Sequence, residues 1–97
     1  MPTYVVLLNF TDEGIRTVKD TIQRADSAAE LAQKHGGRLE RLYWTVGSYD
    51  LVGIFEAPDD ESAMAYLLET GSRGAVRTTT LRAYDREEMS GIIQRLG

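Results

Sequence analysis

Along this chain the spacing of apolar residues changes period several times, and each change marks a new element. Thr3–Phe10, TYVVLLNF, is a continuous apolar run of strand length. Both alternating sets, Tyr4/Val6/Leu8/Phe10 and Val5/Leu7/Asn9, are mostly apolar. Such a strand is covered on both faces and belongs at the centre of a sheet. From Ile15 the period lengthens. Ile15, Val18, Ile22, Ala25, Ala29 and Ala32 recur at spacings of three and four, as on one face of a helix. The spacing predicts a main helix capped by Asp20 or Thr21 and running to about His35, preceded by a turn at Thr11–Gly14. Gly36-Gly37 supplies the left-handed position that ends it. The alanines of the stripe predict a helix lying close to its sheet.

The stretch Arg41–Glu56, RLYWTVGSYDLVGIFE, reads as a hairpin. Gly47-Ser48 suits a two-residue type II′ turn, whose first position needs positive φ. Pairing across it sets Val46 opposite Tyr49, Thr45 opposite Asp50, Trp44 opposite Leu51 and Tyr43 opposite Val52. Alternation then gives two faces. Leu42, Trp44, Val46, Tyr49, Leu51, Gly53 and Phe55 form the apolar face, which should lie under helices. Arg41, Tyr43, Thr45, Asp50, Val52 and Ile54 form a mixed face. Ala57-Pro58 stops the second strand. Asp59 or Asp60 caps a second helix to about Glu69, with Ala63, Tyr66, Leu67 and Thr70 inward. Gly71–Gly74 is expected as a loop and Val76–Tyr84, VRTTTLRAY, as the last strand. Asp85 with Glu88 three residues on matches a capping box. Met89, Ile92, Ile93 and Leu96 give the short helix that follows an apolar face.

The order is βαββαβ plus a terminal helix, within one domain spanning residues 1–97. This is the α+β, ferredoxin-like arrangement, with a four-stranded antiparallel sheet and both helices on one face. The other face is left uncovered, although the first strand is apolar there and Tyr43, Val52 and Ile54 share it. Such a patch is unusual on a monomer. The simplest cover is a second copy packed sheet to sheet as a C₂ homodimer; the alternative is the terminal helix folded beneath.

Composition narrows the partners. The chain has 97 residues, 42% hydrophobic and 27% charged, with a formal net charge of −4. That balance argues against nucleic acid and anionic membrane surfaces. No apolar run approaches the ~18 residues of a membrane span. The amino terminus lacks the basic-then-apolar layout of a secretion signal, so a cytoplasmic location is expected. There is no cysteine, which excludes disulfides, thiolate metal sites and a cysteine nucleophile.

At the hairpin the chain resembles the GYD-domain family of small bacterial proteins. The residues that carry the resemblance are YWTVGSYDLV (Tyr43–Val52), EAPDDESA (Glu56–Ala63), VRTTTLRAY (Val76–Tyr84) and TYVVLLNFTDEGIR (Thr3–Arg16). The naming triplet corresponds to Gly47, Tyr49 and Asp50, with Ser48 between the first two. The resemblance implies a ferredoxin-like fold related to dimeric α+β barrels. Related barrels include cofactor-independent monooxygenases, isomerases, dehydratases and non-catalytic ligand binders, so it implies no single reaction.

Several side chains could carry chemistry. Tyr49 and Asp50 offer a phenol and a carboxylate at the end of the sheet, but they point to opposite faces; their structural reading is packing and turn stabilisation. Arg41, Tyr43, Thr45 and Asp50 share the mixed face, as convergent polar groups of a pocket or as a polar rim at an interface. On the last strand Thr78, Thr80 and Arg82 share one face and Arg77 and Thr79 the other; an arginine beside threonines could hold a ligand carboxylate, and the structural reading is β-propensity with arginines paired to acids. His35, the only histidine, sits where a cation suits a helix C-terminus. Asp59-Asp60-Glu61 read as acids at a helix start, so neither metal nor cofactor is implied. Gly71–Gly74 follows a helix, the wrong end for a phosphate loop. The expected ligand-binding residues are Tyr4, Tyr43, Trp44, Tyr49, Asp50 and Arg77. Two functions follow: a homo-oligomeric small-molecule-binding domain, with cofactor-independent catalysis on an apolar or aromatic compound as its extension, or a non-catalytic structural or regulatory oligomer.

Overall fold

The computed structural model describes residues 1–97. Strand β1 spans Thr3–Phe10 and is followed by the short helix α1, Asp12–Arg16, and a 3₁₀ turn at Val18–Asp20. Helix α2 is Thr21–Lys34, strand β2 is Arg38–Trp44 and strand β3 is Leu51–Glu56. Helix α3, Asp60–Ser72, strand β4, Val76–Ala83, and helix α4, Arg86–Gln94, complete the chain. The strands lie in the order β2-β3-β1-β4, each antiparallel to its neighbours. The apolar run of β1 is therefore central, as its two-faced pattern predicts.

One layer of the core lies between the sheet and helices α2 and α3. Tyr4, Val6 and Leu8 from β1 and Leu51 and Phe55 from β3 are buried there with Leu31, Ala32, Ala63 and Tyr66. Phe55 is 0% exposed and is the largest side chain fully enclosed. It stacks on Tyr4 at 5.0 Å and meets Tyr66 edge-on at 5.0 Å. Such aromatic contacts add about 0.5–1.5 kcal/mol beyond the area they bury. Asp59 caps α3 by accepting from the Ser62 N–H, and Asp85 with Glu88 forms the expected capping box on α4.

The hairpin departs from a two-residue turn. The register is as expected, with Trp44 opposite Leu51 and Tyr43 opposite Val52. Thr45 also faces Asp50, whose carbonyl accepts from the Thr45 N–H at 2.8 Å. Beyond that pair the ladder stops. Gly47 takes φ of +134°, and Val46 is fully exposed. The strands part because Asp50 is committed elsewhere: its N–H donates to Leu8 O and its carboxylate accepts from the Phe10 N–H, at 2.9 and 2.8 Å. β2 also begins earlier than the hairpin pattern suggested, at Arg38, with a bulge between Leu39 and Arg41.

The helical stripe needs correction as well. Ile15, Val18 and Ile22 are exposed. They lie on three separate segments, and the breaks at Thr17 and Asp20 reset the phase that a single 3.6-residue period assumed. Gly71 and Ser72 are helical, so α3 runs on past Glu69. The apolar face of α4 is not folded under the sheet, and α4 contributes no buried residue. The molecule measures 52 × 30 × 17 Å.

Gly14 marks the tightest approach in the fold. A Cβ there would lie 1.9 Å from Ala75 O, at the junction where the Thr11 N–H donates to the same carbonyl. Gly14→Ala is expected to destabilise by more than about 2 kcal/mol, as overpacking against backbone does. Gly71→Ala, in a helix with nothing within 4 Å of the new methyl, should stabilise by about 0.5–1 kcal/mol. Urea unfolding of both variants measures the contrast, and equal stabilities would contradict the junction as described.

Candidate functional site

A cavity of about 270 Å³ opens between the sheet and the two long helices. Its floor is apolar, from Leu8, Phe10, Leu42 and Leu51 on the strands, and its roof includes Ala28 and Leu31 of α2 and Tyr66 of α3. The space follows from residue size. The short side chains Ala25, Ser27 and Ala28 of α2 leave the gap unfilled opposite the leucines and Phe10 of the strands. Tyr66 fixes the spacing of the helices, its hydroxyl donating to Ala28 O at 3.1 Å. Burial pushes the Tyr66 phenol up to about 12.

Polar groups on the cavity wall are few. Thr21 accepts from the Trp44 indole N–H at 3.0 Å. The Thr70 hydroxyl oxygen is buried without a protein partner. Arg24 donates to Thr17 Oγ1 at 2.8 Å, to Gly14 O at 3.2 Å and to Thr17 O at 3.1 Å. Arg73, at the C-terminus of α3, also lines the cavity. No aspartate or glutamate does.

The six expected ligand-binding residues are not gathered in this cavity. Tyr4 is buried on the helix side, where its hydroxyl donates to the Asp60 carboxylate. Burial first, and that carboxylate second, push the Tyr4 phenol up to about 12. Tyr43 is 54% exposed on the open sheet face. Trp44 touches the cavity only through Thr21. Tyr49 lies half-buried in the hairpin loop, its carbonyl accepting from the Thr45 hydroxyl. Asp50 caps the end of β1 through the Phe10 N–H. Arg77 lines a second groove, with Leu67 and Leu68 of α3. His35 is paired with Glu69 at 2.8 Å, and Lys34 reaches the same carboxylate at 3.1 Å. These partners hold Glu69 below the usual carboxylate range. Of the residues that do line the cavity, Thr70 was legible as inward-facing. Arg24 was not, although its place one turn before Ala28 and two before Leu31 sets an arginine in an apolar row.

The open sheet face carries Val5, Leu7, Val52 and Ile54, half-buried, with Tyr43 and Leu81 more than half exposed. At one end of the sheet the Glu56 carboxyl is raised by a hydrogen bond with Glu40 and by burial, against the opposing pull of the chain amino terminus and Arg38.

An antiparallel β2-β3-β1-β4 sheet with two helices on one face defines a ferredoxin-like α+β domain. The model of the GYD domain matches residues 4–93, and the chain belongs to that family. It is similar to a Thermus thermophilus protein, the glutamine synthetase and cystathionine beta-lyase binding protein, with 38% identity over 84 residues, 86% of this chain and 88% of that one. Among solved structures it is similar to TTHA0845, also from Thermus thermophilus, at 26% identity and a TM-score of 0.56, over 89% of this chain and 100% of that one. MtbAldR shares the fold at a TM-score of 0.69 and 14% identity. That match covers 88% of this chain and only 52% of the MtbAldR chain. No helix is long and apolar enough to cross a membrane.

Two variants probe these sites. Thr70→Val removes a buried, unpartnered hydroxyl and should stabilise the protein by about 1 kcal/mol. A loss of stability on urea unfolding would mean that the hydroxyl is bonded in solution. For the carboxyl pair, a raised folded-state pKa at Glu56 gives stability that is present at acid pH and lost as pH rises through the carboxylate range. Glu40→Gln removes that loss. Its melting temperature should exceed that of the parent near neutral pH, with the difference shrinking as the pH is lowered. A difference independent of pH would refute the coupling.

Proposed function

We propose that this chain is a homodimeric binding module whose small-molecule ligand occupies the cavity under α2 and α3. The cavity itself is the observation that carries the reading. Its volume, about 270 Å³, is near the lower end of ligand sites, and its wall has their usual make-up, mostly apolar with a few polar groups. The six residues expected from the sequence become surroundings in this reading. Trp44 serves as a reporter through Thr21, and the open-face residue Tyr43 belongs to the dimer contact. Dimerisation through the open face is supported by its apolar content. Leu81, 52% exposed, stands beside Val5 on that surface.

Thermal shift against a panel of small aromatic and aliphatic compounds tests the ligand reading. A compound that binds only the folded state stabilises it by about 2.7 kcal/mol at a hundred times its Kd. Ala28→Leu, which fills the cavity, should abolish the shift. A panel without effect, or shifts that survive Ala28→Leu, would reject the cavity as the binding site. Sedimentation tests the dimer: the parent chain should run at twice its mass and Leu81→Arg as a monomer. A dimeric Leu81→Arg would move the interface off the open face.

A second reading is supported by the relative's name, which describes binding to two enzymes. Here the unpacked apolar face of α4 and the residues after it, with Met89, Ile93 and Leu96 exposed, would be a docking surface for an enzyme of that kind. Co-sedimentation with purified glutamine synthetase should then be seen for the parent chain and lost in Leu96→Asp. No co-sedimentation of the parent leaves the small-molecule role alone.

A further inference from the structure

Resting on the cavity reading, we infer that the ligand is a small monocarboxylate, its apolar body among the leucines and its charge held by Arg73 and Arg24. The wall contains two arginines and no acid, in a chain with 15 acidic residues against 11 lysines and arginines. Neither arginine is in an ion pair; the four ion pairs of the chain involve Arg16, Lys34, His35 and Arg82. The cavity thus carries two uncompensated positive charges in a molecule of net charge −4.

Connectivity brings the Arg24 guanidinium near the stretch of chain that carries Arg73. Arg24 donates to Gly14 O, Gly14 packs against Ala75, and Arg73 lies two residues before Ala75. Their roles differ. The bonds of Arg24 to Thr17 and Gly14 use three of the five guanidinium N–H donors, and they fix its position. Two donors remain. Arg73 makes no side-chain hydrogen bond and is exposed, so its whole fork is free to close on a carboxylate in the two-point geometry that arginine favours. The unpartnered Thr70 hydroxyl, one turn before Arg73 on the same helix, supplies a further donor. Size limits the rest. The cavity has the volume of about nine waters, enough for a short aliphatic chain or a single ring.

Hexanoate with hexanamide, and phenylacetate with phenylacetamide, form matched charged and neutral probes. Titration calorimetry near neutral pH, with Trp44 fluorescence as a second readout, compares them on the full chain. Each acid should bind about tenfold more tightly than its amide, the difference expected of charge-assisted over neutral hydrogen bonds. Arg73→Leu should weaken the acids more than the amides and so reduce that preference several-fold; the side chain makes no bond in the fold, so the variant is expected to stay folded. Thr70→Val should weaken both members of each pair. Equal binding of acid and amide would overturn the carboxylate assignment while leaving the cavity as a ligand site. Acid preference undiminished in Arg73→Leu would overturn the role of Arg73. Binding of none of the four probes would overturn the inference, and the compound panel on the parent and Ala28→Leu chains would then say whether the cavity reading falls with it.

Discussion

Strand β1 is the constraint on which the structure depends. Every residue from Thr3 to Phe10 faces a partner on β4, and Thr3 to Leu8 face partners on β3 as well. Its backbone is thereby satisfied without solvent, and both its faces are free to be apolar. The helix-side row, Tyr4, Val6 and Leu8, is buried by α2 and α3. The opposite row, Val5 and Leu7, is only half-covered. Even the end of the strand is closed from within. Asp50 offers its carboxylate to the Phe10 N–H and its own N–H to Leu8 O, so one residue of the hairpin loop extends the β1–β3 ladder. A buried backbone donor left unpaired costs about 1–3 kcal/mol, and Asp50 avoids that cost at the place where the ladder would otherwise fray.

The fold was legible where one residue sufficed to set a local geometry. Pro58 ended β3, Gly36 took φ of +79° after α2, and Asp85 with Glu88 closed a capping box. The hairpin register was legible too, because side-chain alternation leaves only one way to bury Leu51 and Phe55 together. The phase of the first helical region was not. Periodicity assumes a continuous helix, and the chain bends at Thr17 and again at Asp20, so Ile15 and Ile22 fit the stripe without sharing its face. Tertiary bonds decided the loop at Gly47. Asp50 is held by Phe10 of β1, 40 positions away along the chain and invisible to a local reading.

The candidate site was less legible than the fold, for a related reason. Tyr49 and Asp50 stood out because polar and aromatic groups at a turn look available. In the fold the Tyr49 carbonyl accepts from the Thr45 hydroxyl and the Asp50 carboxylate from the Phe10 N–H. Arg24 and Arg73 give no such signal, since arginines on a helix are ordinarily solvated. What separates these two from the others is not their chemistry but their place on the cavity wall, and that depends on which elements α2 and α3 are packed beside.

The cavity is a departure from the close packing expected of so small a domain. Interiors are dense, and unfilled apolar space forfeits contact energy with every wall atom. A chain of this size has little stability to lose. Larger residues at Ala25, Ser27 or Ala28 would close the gap without disturbing the sheet, since these positions line it from α2, above a floor of leucines and Phe10. The buried Thr70 hydroxyl points the same way, because valine would have the same shape without an unmet hydrogen bond. Together, small residues where large ones fit and a hydroxyl without a partner are two separate penalties to folding that converge on one volume. A ligand that fills the space and bonds the hydroxyl would relieve both, and a carboxylate on it would meet the two arginines of the wall.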